Sequence, residues 1–267
     1  MKHPRPAIVG IVNVTGDSFS DGGRYLEAAS ARAHAERLAV DGADIVEVGP
    51  ASSHPEAAAV SAADEISRID PVLDALHDVN VPVSIDSWRP ETQRHGIERG
   101  VAMLNDIEGF GRPEMYDELA RATCKLVVMH SVRGGARATR DEVTADGVVE
   151  SIDSFFEVRL AALIAAGIAR DRFIIDPGMG LFLGSNPEAS VRVLRGLSDL
   201  RRRFDLPVLV SVSRKSFLGR LCGRDVADRG AATLAAELYA ATRGVDYIRT
   251  HDAGALRDAL AVMAALE

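Results

Sequence analysis

Short apolar runs alternate with amphipathic stretches along this whole chain, and that alternation limits the folds open to it. Strand-like runs begin near Ala7, Ile45, Val83, Ala102, Lys125, Phe173, Val208 and Tyr247. Between them, apolar residues recur at three- and four-residue spacing, the period of a helix with one buried face. Those stretches are Ala28 to Val40, Ala62 to Leu76, Pro90 to Glu98, Pro113 to Ala122, Gly147 to Ala166, Glu188 to Phe204, Gly230 to Arg243 and Leu256 to Ala264. Strands separated by helical crossovers pair in parallel. Eight such units in 267 residues predict an α/β fold, a TIM (β/α)8 barrel in one domain over residues 1–267. A doubly wound open sheet is the alternative. No linker or low-complexity tract divides the chain.

Composition narrows the function classes. The net charge of −8 argues against general nucleic-acid binding. It leaves room for a small anionic substrate held by local Arg and Lys. Cys124 and Cys222 lie far apart, too few for a disulfide framework or a zinc site. The start, Met1 to Pro6, is basic and carries no apolar core of a signal peptide. No run reaches the roughly 18 apolar residues of a membrane helix. A soluble, cytoplasmic protein is expected.

Four polar residues stand at the ends of strand-like runs. Asp86 follows Val83-Ser84-Ile85, Asn105 follows Ala102-Met103-Leu104, Asp176 follows Phe173-Ile174-Ile175, and Lys215 lies just beyond the run Val208 to Val212. Any one of them is as well explained by a helix cap or a turn. In a parallel barrel, however, all four converge on one mouth, where active sites are built. Two carboxylates, an amide and an ammonium could hold a flat polar heterocycle by its edge. Arg214 and Lys215 suit carboxylate, carbonyl or anion partners. Arg249 and His251, on alternate positions of the last strand, suit a phosphate or pyrophosphate. Polar loops over residues 16–23, 49–60 and 133–146 follow strands and are expected over the mouth. No Walker loop, GxGxxG, HExxH or GxSxG is present, which removes several large enzyme classes.

Taken in order, these segments resemble the dihydropteroate synthases. The matching pieces are Asn13 to Gly23, Ser84-Ile85-Asp86, Asn105-Asp106-Ile107, Met129-His130, Asp176-Pro177-Gly178, Ser213-Arg214-Lys215-Ser216 and Arg249-Thr250-His251-Asp252. Within that family the chain looks most like the sulfonamide-insensitive Sul enzymes. Val48-Gly49-Pro50-Ala51-Ser52-Ser53-His54-Pro55 replaces the usual GGESTRPG-type loop, and the segment Met179 to Pro187 is about two residues longer than the usual one. Phe182 is the expected discriminating aromatic.

The resemblance implies condensation of 6-hydroxymethyl-dihydropterin pyrophosphate with p-aminobenzoate, giving dihydropteroate and pyrophosphate in folate biosynthesis. An ordinary, sulfonamide-sensitive dihydropteroate synthase is the first alternative, and a pterin-binding methyltransferase domain on the same barrel is a more distant one. By this likeness Asp86, Asn105, Asp176, Lys215 and Met129 would bind the pterin, with Asp86, Asp176 and Lys215 catalytic. Asn13, His54, Arg249 and His251 would hold the pyrophosphate, with Asn13 also a ligand of Mg²⁺. Thr15, Asp17, Phe19, Ser53, Phe182, Arg214 and Ser216 would contact p-aminobenzoate. A homodimer is expected, since members of the family usually form one.

Overall fold

The computed structural model describes residues 4–14, 21–52, 59–78, 80–135, 138–139 and 144–266. Its eight strands are β1 (Ala7–Asn13), β2 (Ile45–Gly49), β3 (Val83–Asp86), β4 (Met103–Asp106), β5 (Lys125–Met129), β6 (Phe173–Asp176), β7 (Leu209–Val210) and β8 (Tyr247–Thr250). All pair in parallel, in the order β6-β5-β4-β3-β2-β1-β8-β7. The two ends of that sheet meet at a single parallel bridge between Ile175 and Val208. There the Ile175 N–H donates to the Pro207 carbonyl at 2.9 Å. The sheet is therefore a nearly closed barrel, as the alternation predicts, and the doubly wound alternative is excluded.

Helices fill the crossovers. They are α1 (Asp21–Val40), α2 (Ala62–Asp78), α3 (Pro90–Glu98), α4 (Tyr116–Arg121), α5 (Ala145–Ala165), α6 (Pro187–Arg195), α7 (Leu197–Phe204), α8 (Ser216–Cys222), α9 (Gly230–Thr242) and α10 (Ala253–Leu266). None of the described helices is long and apolar enough to cross a membrane. Outward strand residues such as Ile8, Val46, Ile85, Leu104, Leu126 and Val210 form one large core with the helices. Burial on both faces explains why the strands read as continuous apolar runs rather than alternating ones.

Four expectations from sequence need correction. Helix α1 starts at Asp21, so the polar loop expected over residues 16–23 is already helical in its last three. The stretch Glu188 to Phe204 is two helices. Gly196 ends α6, its N–H donating to Arg192 and Val193 carbonyls at 3.1 and 3.0 Å, and α7 departs from the same residue. Strand β7 is two residues long, not five, so Lys215 stands on a loop. Arg214 adopts a left-handed φ of 58° there, a conformation no strand can contain. Finally, α8 was not anticipated, because seven residues are too few for a periodic signal.

Gly96 shows how closely the helices press on the barrel. A Cβ added there would lie 2.9 Å from Ile85 Cδ1 and 3.2 Å from Leu104 Cδ2. Gly96→Val should therefore overpack the interface of α3 with β3 and β4, at a cost of ~1–3 kcal/mol. Calorimetry should register a fall of roughly 2–4 °C in the thermal midpoint for each kcal/mol. An unchanged midpoint would mean that α3 can lift from the sheet without loss.

Candidate active site

The barrel interior changes from apolar to polar in one step. At its lower level, Val9, Met103, Val127, Ile174 and Leu209 form a separate cluster packed by Ile45 and Tyr247. Side chains on a strand return to the same face every second residue. Two positions on from these residues stand Ile11, Asn105, Met129, Asp176, Ser211, Glu47 and Arg249. The apolar plug thus carries a mainly polar layer on its upper side. Above that layer is a cavity of about 250 Å³. Asn13, Asp86, Asn105, Met129, Asp176, Phe182, Lys215, Arg249 and His251 line it, together with Ala51, Ser52, Trp88, Ile107, Met179 and Ser211.

A charged network forms the floor. Glu47 has no exposed surface, and three groups donate to it. Ser84 Oγ and Asn105 Nδ2 reach its Oε2 at 2.9 and 3.2 Å, and Arg249 Nε bonds its Oε1. The same guanidinium donates through Nη2 to Asp86 Oδ2 at 3.1 Å. Arg249 thereby bridges two carboxylates on different strands. Asn105 Oδ1, also buried, has no hydrogen-bond partner among the described residues. On β6, Asp176 accepts the Gly178 N–H at 2.8 Å. Gly178 has φ +74°, and a Cβ there would stand 2.5 Å from the His130 carbonyl oxygen. This turn can therefore be tight only with glycine.

The network sets the protonation of its members. Burial pushes the Asp86 carboxyl upward, and Glu47 adds to that, while Arg249 and Lys215 oppose it. Burial likewise raises Asp176 to about 6 against the pull of the Gly178 N–H and Lys215. Lys215 falls to about 8, chiefly by burial and then by repulsion from Arg249. Burial, followed by Arg249, Arg214 and Lys215, lowers His251 to about 3. His251 is therefore a neutral imidazole rather than the second cation its sequence position suggested. It is held by Ser213 Oγ, 2.9 Å from its Nδ1. The Arg249 charge is likewise already engaged by two carboxylates.

The apolar wall joins separate loops. Phe182 packs with Ile107, Met129 and Ala138, and Trp88 and Leu181 lie against them. The Val132 and Thr139 N–H groups donate to the Phe182 and Leu181 carbonyls at 3.0 and 2.9 Å. Lys215 Nζ sits 4.6 Å from the Phe182 ring centroid, within cation–π range. Beside this wall, Glu65 anchors the turn that carries Trp88. Fully buried, Glu65 accepts from Ser87 Oγ at 2.7 Å, Thr92 Oγ1 at 2.8 Å and Arg89 Nε at 3.2 Å.

Nine residues expected at the site line this one cavity. Arg214 and Ser216 are not among the lining residues. The Arg214 side chain is exposed, and its backbone N–H donates to Thr233 Oγ1 at 3.0 Å. Thr15, Asp17, Phe19, Ser53 and His54 lie outside the described residues. Sequence reasoning missed Glu47, Trp88 and Glu65. Glu47 carried a usable signal, because a charged residue within the apolar run Ile45 to Val48 cannot be stable without a partner.

Comparison with known proteins agrees with this geometry. The model of the pterin binding enzyme family matches residues 9–251. The type-2 dihydropteroate synthase of Escherichia coli is 57% identical over 260 residues, covering 97% of this chain and 96% of that protein. A Xanthomonas albilineans dihydropteroate synthase solved with 4-aminobenzoic acid superposes with a TM-score of 0.88 at 37% identity, covering 98% of this chain and 93% of that one. The same enzyme solved with 7,8-dihydropteroate gives a TM-score of 0.83 at 36% identity, covering 98% and 94%. An enclosed polar floor at the barrel mouth, on a chain matched along nearly its whole length, leads to one assignment: the protein belongs to the pterin-binding enzymes and is a dihydropteroate synthase of folate biosynthesis.

Proposed function

We propose that this synthase grips the pterin on the polar floor and excludes sulfonamides at the Phe182 wall. The observation that carries the reading is the placement of Phe182. Its ring lines the same cavity as Asp86, Asn105, Asp176 and Lys215 and is backed by packed apolar neighbours. A ring so confined cannot swing away from a bulky ligand without disturbing that packing. A sulfonamide carries a substituent beyond the outline of p-aminobenzoate, so a rigid wall discriminates by clash. The likeness to the type-2 synthase of Escherichia coli supports placing the chain on the Sul side of the family.

On the floor, each partner type has a physical reason. Ionised Asp86 and Asp176 accept from pterin N–H and amino groups, whereas protonated Lys215 donates to a ring nitrogen or carbonyl. The reaction is a dissociative displacement. Pyrophosphate departs, a pterin cation forms, and the aryl amine attacks its exocyclic carbon. Asp86 and Asp176 stabilise that cation, an interaction strongest in the transition state. Asn13, at the exposed end of β1, would offer one neutral oxygen to Mg²⁺, and such an ion would supply positive charge to the pyrophosphate oxygens. No group of three His, Cys, Asp or Glu residues capable of holding a metal occurs among the described residues. A site with one protein oxygen and the remainder from substrate and water matches magnesium's habits. The engagement of Arg249 by Glu47 and Asp86 makes such a metal more necessary, since less protein charge is left for the leaving group.

Turnover of both substrates with and without sulfamethoxazole tests the central reading. The native enzyme should keep making dihydropteroate at drug concentrations that stop a sensitive synthase. Phe182→Leu should lower the sulfonamide inhibition constant by about tenfold or more, some 1.4 kcal/mol, with a smaller change in the KM for p-aminobenzoate. If inhibition is the same in both proteins, Phe182 is not the discriminator. Asp176→Asn should reduce kcat by roughly 100-fold or more through loss of charge beside the cation. A native rate would remove Asp176 from the mechanism.

The pH dependence follows from the floor. Catalysis requires both carboxylates ionised, so kcat/KM for the pterin substrate should rise with pH through about 6 to 7, complete only once Asp86 has lost its proton. Asp176 ionises first and Asp86, raised further by burial and by Glu47, ionises last. Catalysis also requires protonated Lys215, so the same parameter should decline above about 8. A profile flat from pH 5 to 9 would contradict both assignments.

A further inference from the structure

We propose that Glu47 is a positioning residue of the synthase: from beneath the cavity it determines which atom of Asn105 meets the pterin and where the Arg249 guanidinium points. The inference rests on reading the floor as the pterin grip. Glu47 touches no part of the cavity lining from above, since it has no exposed surface and is not among the lining residues. Its influence passes through the residues that are.

The first route is the Asn105 amide. An amide can present either its donor or its acceptor, and only its neighbours decide which. Here Nδ2 donates to Glu47 Oε2 at 3.2 Å. Reversal would set two oxygens against each other in a buried site, forfeiting a charge-assisted hydrogen bond and adding repulsion. The Glu47 charge therefore leaves Oδ1 as the unpartnered atom of Asn105. The accepting atom that Asn105 has left is Oδ1, and a ligand N–H is the group that would pair with it. The second route is Arg249. Glu47 takes Nε and Asp86 takes Nη2, so the guanidinium is held against the floor on two sides. A neutral residue at 47 would release it towards Asp86.

A purely structural ion pair would predict loss of stability and a uniform loss of activity. The positioning role predicts more, because Glu47 also acts on Asp86 by charge. Asp86 is faced by Glu47 from β2, Arg249 from β8, Asp106 from β4 and Lys215 from the loop after β7. Glu47 and Asp106 favour its protonated form, whereas Arg249 and Lys215 favour the ionised one. Removing the Glu47 charge deletes one opposing anion and frees Arg249, and both changes make Asp86 more acidic.

The test is steady-state kinetics across pH for the native enzyme, Glu47→Gln, Glu47→Asp and Asn105→Ala, with 6-hydroxymethyl-dihydropterin pyrophosphate and p-aminobenzoate varied in turn. Glu47→Gln should raise the KM for the pterin substrate by about tenfold or more, the scale of one charge-assisted hydrogen bond. The KM for p-aminobenzoate should change by no more than about twofold, and the acid limb of kcat/KM should move to lower pH. Glu47→Asp keeps the charge at shorter reach, so its pterin KM should rise while its acid limb stays at the native position. An acid limb unmoved in Glu47→Gln, or equal increases in both KM values, would overturn the proposal. If Glu47→Gln fails to fold, a native pterin KM in Glu47→Asp overturns it instead. A native pterin KM in Asn105→Ala would show that the grip itself is misread, a failure distinct from that of Glu47.

Discussion

Glu47 is a carboxylate with no exposed surface, placed in the middle of a strand, and the upper half of the barrel is organised around supplying it with donors. An isolated ion in such a place costs several kcal/mol, and breaking one partner of a buried pair is typically worth 3–5 kcal/mol, roughly. Its donors come from three other strands: Ser84 on β3, Asn105 on β4 and Arg249 on β8. None can be supplied by sequence neighbours. The network therefore forms only when β2 has found β3 in register and the sheet has curved far enough to bring β4 and β8 to the same axis. Closure of the barrel and assembly of the site are, in this respect, one event. Arg249 links the two, for it satisfies the buried Glu47 and carries the network up to Asp86 at the cavity.

Much of this was legible in the sequence, and the parts that were not share a physical cause. Strand–helix alternation implied the barrel because each run is buried on both faces, and burial leaves a compositional mark. Asp86, Asn105 and Asp176 could be located because a polar residue ending an apolar run is conspicuous. Glu47 was equally conspicuous in Ile45-Val46-Glu47-Val48, yet it lies one residue before the run's last apolar member. A search of strand ends passes over it. The place of Lys215 at the cavity was legible but its local setting was not. Its loop depends on a left-handed Arg214 and a short α8, which no periodicity announces. The division of Glu188 to Phe204 at Gly196 depends on tertiary packing of two helix faces rather than on pattern. His251 shows a further limit, since sequence supplies an imidazole but only burial beside Arg249 decides its charge.

The step from apolar plug to polar layer also explains how one barrel can be both stable and reactive. Val9, Met103, Val127, Ile174 and Leu209 fill the lower interior, so water cannot enter from beneath. One side-chain period higher, the same strands present Asn105 and Asp176, and β8 presents Arg249 above Tyr247. Groups held on strand backbones are positioned more precisely than groups on loops. They also need little reorganisation when charge develops in the substrate. The raised carboxyls and lowered lysine are the expected companions of that arrangement, since burial disfavours each charged form. The perturbed protonation of these groups has its origin in burial between the plug and the cavity.

Drug exclusion and pterin chemistry are usually pictured as separate halves of such a site, and the geometry argues against separating them. Phe182 belongs to the apolar wall, but its ring lies beneath the Lys215 ammonium at 4.6 Å. That contact favours the protonated lysine while burial opposes it. The wall is in turn held from outside. Backbone N–H groups of Val132 and Thr139 fasten the Phe182 and Leu181 carbonyls to the loop after β5. Any rearrangement that moved the ring would also move the partner of the Lys215 ammonium. If the wall discriminates at the amine side as proposed, that selectivity is mechanically and electrostatically tied to the proposed grip on the pterin. A chain that opened its wall would weaken its own chemistry in the same step.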